Sequence, residues 1–209
     1  MEPPARAQTC DVLGGTVDAD RRCQVQIATA TYEIGFNFPV DYPDQQTLTD
    51  YLTQERDEFI DFVADAPPRD FPYSLAARAT AYHSGTPTSG TVSLVFDRGS
   101  DTGAHPVTHF DAFTYDLAKA VPITLATLFK PGIQPVEVLD PIVRRELVKK
   151  SQGQENPMPN TLGARMYENF AITDEAVIFF IGQGAWLSQL AGPQEISVPR
   201  AELAALLAY

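Results

Sequence analysis

Cysteine is scarce in this chain: Cys10 and Cys23 are the only two in 209 residues. With no His beside them and no second Cys pair, they cannot assemble a four-ligand zinc site. What remains is one disulfide or two free thiols. A bridge would tie the N-terminal arm onto a strand beginning at Cys23, stabilise by roughly 3 kcal/mol on chain-entropy grounds, and imply an oxidising compartment. Positive charge is also short. Lys and Arg number 15 against 27 Asp and Glu, a formal net charge of −12. That balance argues against nucleic acid as a partner, because phosphate binding needs a basic patch. It suits a cationic partner, and it equally serves solubility. Long apolar runs are absent. The most apolar stretch, Ala176-Val-Ile-Phe-Phe-Ile181, has strand length, far below the roughly 20 residues that span a bilayer. No apolar core follows Met1, so no signal peptide is read. Ala5-Arg6-Ala7 fits a small-x-small cleavage site, and a chain starting near the mature terminus of an exported protein is expected.

What is present describes a globular protein: 44% apolar and 20% charged residues, with length enough for one sizeable core. The expected organisation is an N-terminal arm over residues 1–22 and a single α+β domain over 23–209, monomeric. Tyr32, Ile34, Phe36 and Phe38 alternate with less apolar neighbours, and Cys23, Val25 and Ile27 repeat the pattern, so a hairpin is predicted. The period then changes. Leu48, Tyr51, Leu52, Phe59, Phe62 and Val63 predict an amphipathic helix from about Gln45 to Ala64, with Asp44 as N-cap and Pro67-Pro68 as the stop. Its outer face carries Asp50, Glu55, Asp57, Glu58 and Asp61 against Arg56 alone.

Further on, strands are predicted over about Tyr73–Tyr82, around Val92–Phe96, and along Val107 to Leu117, with Val107, His109, Phe113, Tyr115 and Leu117 on one parity. Arg98 to Gly103 is read as a turn. Asp140-Pro141 fits N-cap and first helical position, with Ile142, Val143 and Leu147 facing the core and Lys149-Lys150 at the cation-favouring end. Ser151 to Gly163 reads as a loop. Phe170–Ile172 and Val177–Ile181 flank Thr173-Asp-Glu175 as a hairpin, Glu195–Val198 is a last strand, and Pro199 opens a terminal helix through Leu207. Strands dominate with helices inserted singly, which predicts an α+β class with a mixed or antiparallel sheet and a long amphipathic helix packed on it.

Chemistry is harder to find. There is no Gly-x-Ser-x-Gly nucleophile elbow. His83 and Ser84 are adjacent, which in a strand sends them to opposite faces. His105 and His109, on one strand parity, would stand about 13 Å apart and share no metal ion. Asp18 and Asp20 lack the calcium-loop pattern, and their charge beside Gly14-Gly15 argues against a phosphate cradle. No catalytic residue, metal or cofactor is assigned. Trp186, within Gly182-Gln-Gly-Ala-Trp-Leu-Ser-Gln189, either anchors a partner or folds over the core edge.

Family resemblance adds to this. Gly103-Ala-His-Pro106, Phe113-Thr-Tyr-Asp-Leu117, Pro122-Ile-Thr-Leu-Ala-Thr-Leu-Phe129, Tyr167-Glu-Asn-Phe-Ala-Ile-Thr-Asp174 and Val198-Pro-Arg200 resemble the extracytoplasmic domain of RsiV-type anti-sigma factors, from about residue 90 onward. Cys23-Gln-Val-Gln-Ile27, Phe38-Pro-Val-Asp-Tyr-Pro-Asp-Gln45 and Tyr51-Leu-Thr-Gln-Glu-Arg-Asp57 resemble the mycobacterial secreted immunogenic proteins, a culture-filtrate antigen family. The resemblance implies a β-grasp-like α+β fold, secretion by a cleaved signal peptide, wall association or release, and a bridge between Cys10 and Cys23. It implies two functional readings. One is binding of a protein partner, as RsiV-type receptors bind the cationic protein lysozyme; the other is hydrolysis of short acyl esters, an activity ascribed to some mycobacterial relatives. The residues singled out for binding are Gly103, Ala104, His105, Pro106 and Trp186. For hydrolysis, His83 or His105 with Ser84 or Ser100 would be tested first. In place of the Tyr- and Pro-containing stretch of receptor relatives, this chain has Gly182 to Leu190.

Overall fold

The computed structural model describes residues 10–103, 105–150 and 162–209. Seven strands form a mixed sheet in the order β1 to β7, and three more form an antiparallel sheet in the order β10-β9-β8. The chain divides into two compact units. One takes residues up to Thr80 together with Phe96–Val107; the other takes Ala81–Val95 with Thr108–Tyr209.

In the first unit, β1 (Thr16–Val17) pairs with β2 (Arg22–Ala28), and β2 with β3 (Tyr32–Pro39), as the alternation predicts. Cys10 and Cys23 form a disulfide, and both are fully buried. The bridge joins residues 13 positions apart in the chain. A Cβ on Gly15 would sit 2.8 and 2.9 Å from the two sulfurs, so glycine is the residue that lets the loop lie over the bridge. From β3 the chain enters α1 (Gln45–Asp65), whose N-cap Asp44 accepts from the Thr47 N–H and hydroxyl. Leu48, Leu52, Phe59 and Val63 make its buried stripe, each worth about 1.5–3 kcal/mol on full burial. Phe62, expected in that stripe, is 45% exposed and turns its ring edge to Tyr73. The helix supplies the crossover that parallel pairing of β3 with β4 (Tyr73–Ser84) demands.

The expected turn at Arg98–Gly103 is instead mostly strand, because β5 spans Thr91–Asp101. Arg69 holds its end. The guanidinium donates to the Asp101 carboxylate and carbonyl and to the carbonyls of Phe71 and Pro72 while lying over the Tyr73 ring.

In the second unit the buried face of β6 (Val107–Asp116) is the parity opposite to the apolar set seen in the sequence: Phe110, Thr114 and Asp116 are buried, and His109 is exposed. The inward polar groups are satisfied. Asp116 accepts from the N–H groups of Ala118 and Lys119 at the turn into β7 (Val121–Ile123). Burial alone would raise its pKa, but these donors and the Lys119 ammonium hold it below the usual carboxylate range. Thr124 caps the short α2 (Leu125–Leu128) with a reciprocal capping box. Helix α3 begins at Pro135, not at Pro141, and runs Pro135–Lys150. Pro135 takes the first-turn position where a missing N–H costs nothing. Val143 and Leu147 are buried as expected.

Asp140, predicted to cap a helix, serves elsewhere: its carboxylate accepts from the Tyr167 hydroxyl and the Leu162 N–H. Tyr167 closes a 3-10 turn, Ala164–Tyr167, before β8 (Phe170–Ile172) and β9 (Ala176–Ile181) form the predicted hairpin. A second 3-10 turn, Gln189–Ala191, precedes β10 (Gln194–Pro199). The terminal helix α4 is shorter than predicted, Arg200–Leu203. These elements enclose a cluster centred on Leu128, Leu139, Val143, Tyr167, Phe179 and Val198.

Two outcomes follow from this packing. A Cys10→Ser/Cys23→Ser chain is expected to lose about 3 kcal/mol of unfolding free energy in urea melts. Burial first, then the bond to and charge of Asp140, push the Tyr167 phenol well above its ordinary value of 10.0. An acid raised in the folded state contributes stability that is complete below the unfolded pKa and lost as pH rises above it. Unfolding free energy should therefore fall above about pH 10 by up to ~1.4 kcal/mol per pH unit, and Tyr167→Phe should remove that portion of the slope.

Candidate functional site

Of the residues singled out for binding, Gly103, His105 and Pro106 are exposed, and Ala104 lies outside the described residues. Gly103 has neither a positive φ nor any atom within 4 Å of a would-be Cβ, so turn geometry does not demand glycine there. His105 lies ahead of β6 and not in the strand, its Nδ1 3.4 Å from the Pro106 carbonyl oxygen. These residues belong to the first unit and Trp186 to the second.

Trp186 is half-buried and packs against the second unit's hydrophobic cluster. The loop around it is well tied. Gln183 exchanges bonds with the Thr108 backbone and donates to the Gln189 carbonyl, and Ser188 caps the following 3-10 turn. That turn holds Leu190 99% exposed. The tryptophan faces in and the leucine faces out, a division that the loop's composition does not reveal.

The adjacent candidates His83 and Ser84 do not converge. Ser84 is buried with its hydroxyl 2.7 Å from that of Thr91, while His83 is exposed on the opposite strand face. Ser93, not considered from sequence, is fully buried, 3.0 Å from the Thr114 hydroxyl, and accepts from the Ile172 N–H. Ser100 sits within β5. Among the described residues no group of three or more His, Cys, Asp or Glu is placed to hold a metal ion.

Two surfaces have chemical character. In the first unit, α1 exposes Asp50, Asp57, Glu58, Asp61 and Asp65. Its single cation, Arg56, is engaged by Asp57 and the Val12 carbonyl, and Glu55 is paired with Arg98. In the second unit an open cleft of about 670 Å³ lies among five elements. Ala112 and Ile123 come from β6 and β7, Leu125 and Ala126 from α2, Pro135 from the start of α3 and Ile133 from the segment just before it. Ala164 completes the apolar wall, and Thr124, Gln134 and Glu168 supply polar groups. No sequence pattern marks this cleft, because its walls are ordinary apolar residues drawn from distant segments.

Residues 126–201 match the family described as protein of unknown function (DUF3298). Over 197 residues the chain is 43% identical to Esterase Rv3036c of Mycobacterium tuberculosis, covering 93% of this chain and 87% of that protein. It is 38% identical over 201 residues to Immunogenic protein MPB64 of Mycobacterium bovis, and equally to Immunogenic protein MPT64 of M. tuberculosis, covering 95% of this chain and 88% of each. Crystal structures of DUF3298 family proteins share the fold. One from Pseudomonas aeruginosa aligns with a TM-score of 0.66 at 15% identity, covering 89% of this chain and 92% of the other. One from Bacteroides fragilis aligns at 0.57 and 13%, covering 93% and 95%. The identity, sustained along nearly the whole length of the chain, places this protein in the MPT64/MPB64 immunogenic protein family.

Proposed function

We propose that this protein is an exported, non-catalytic binding protein whose helix α1 presents a carboxylate surface to a cationic macromolecule at the cell envelope or in the host. The exposed acidic face of α1 carries the reading. Asp50, Asp57, Glu58, Asp61 and Asp65 lie on it, mostly three, four or seven residues apart, and the helix's one cation is already engaged. A helix offering so many like charges pays a self-repulsion that a basic partner would relieve. The buried disulfide supports export, since such bonds persist in oxidising compartments. Titration calorimetry with hen lysozyme as the cationic probe tests this. A heat of binding is expected at low salt, screened away at high salt. The variant Asp50→Asn/Asp57→Asn/Glu58→Gln/Asp61→Asn should bind about tenfold or more weakly, given up to ~1 kcal/mol for each exposed pair. Absence of heat at low salt rejects the reading.

A second reading, hydrolysis of short acyl esters, is favoured by the 43% identity to a protein named esterase and by the apolar cleft, whose walls suit an acyl chain. Hydrolysis of p-nitrophenyl butyrate, abolished by a serine-directed phosphonate with one adduct per chain, is the expected signature. If that adduct forms, the non-catalytic reading fails.

A further inference from the structure

The cleft of the second unit has an apolar floor and a rim that is open. Ile123 and Leu125 are buried at its base, while Thr124, Ala126, Gln134, Ala164 and Glu168 stand exposed around it. A small-molecule site encloses most of its ligand; an open trough with exposed edges fits a side chain presented from another surface. Among the described residues its one charged wall residue is Glu168. The neighbours of Glu168 are fixed, Tyr167 by its bond to Asp140 and Asn169 by accepting the Ala112 N–H. The Glu168 carboxylate itself has no hydrogen bond or ion pair among the described residues. The turn is thus anchored on both sides of a carboxylate left free at the edge of an apolar trough. Lysine and arginine side chains have the matching form, an apolar stem ending in a cationic head.

We propose that this cleft is a docking site for a basic peptide segment, an inference that rests on the cationic-partner reading. It seats the stem of a Lys or Arg and an adjacent apolar side chain against Ile123, Leu125 and Ile133, with the cationic head at Glu168. An acyl chain would use the same walls but would gain nothing from the carboxylate.

The test uses the full chain labelled at alanine methyls, titrated with N-acetyl-Leu-Arg-amide. Its uncharged match, N-acetyl-Leu-citrulline-amide, is run beside it. The arginine peptide should shift the methyls of Ala112, Ala126 and Ala164, saturating on the order of millimolar. The citrulline peptide should bind about two- to fivefold more weakly, the range for an exposed charge pair. Glu168→Gln should abolish that difference, and Ala126→Trp, which fills the trough, should abolish the shifts; Ala164→Trp replaces it if that variant does not fold. Unmoved cleft methyls, equal affinity for both peptides, or unchanged preference in Glu168→Gln would each overturn the proposal. Lysozyme binding that survives Ala126→Trp but is lost on neutralising α1 leaves the helix reading standing and the cleft inference rejected.

Discussion

A buried edge strand must find partners for its backbone, and in the second unit two hydroxyls meet that demand. Strand β8 is buried at every residue, and β9 pairs with only one of its edges. On the other, Ser93 accepts from the Ile172 N–H and Thr114 donates to the Phe170 carbonyl. An unsatisfied backbone group there would cost about 1–3 kcal/mol. The small sheet is therefore stitched by side chains to β5 and β6, and the cluster of α3, β9 and β10 builds on that footing. The 3-10 turn before β8 takes its place from the same junction, with Asn169 bonded to the Ala112 N–H. Glu168 owes its position beside the cleft to these bonds.

The first unit depends on a different constraint. Parallel pairing of β3 with β4 requires a long crossover, and α1 provides it with a single stripe of buried residues. The opposite side of the helix is left to solvent, and Asp50, Asp57, Glu58, Asp61 and Asp65 are exposed there. The disulfide and Gly15 hold the chain before β2 against that strand. Charge on one unit and an apolar trough edged by a carboxylate on the other are chemically alike in one respect: each exposes carboxylate to solvent.

Periodicity made α1, the β2–β3 hairpin, the β8–β9 hairpin and β10 legible, since each carries an unbroken apolar pattern ended by Pro or polar residues. It failed on β6, where the buried face holds Thr114 and Asp116. Alternation counts apolar side chains and cannot see that a polar one will be satisfied inside. It failed likewise at Asp140, whose capping chemistry was genuine but spent on Tyr167 and Leu162, 22 or more residues away.

By itself the sequence established a disulfide-compatible, acidic, α+β chain with an amphipathic helix and no assembled metal or nucleophile motif, because composition and local period carry that information. Only the tertiary structure decided which face of β6 turns inward, that Trp186 packs inward while Leu190 projects, and that residues from β6, β7, α2, α3 and a 3-10 turn meet around one cleft. Those outcomes depend on hydrogen bonds and contacts between segments distant in the chain, which leave no local pattern to read.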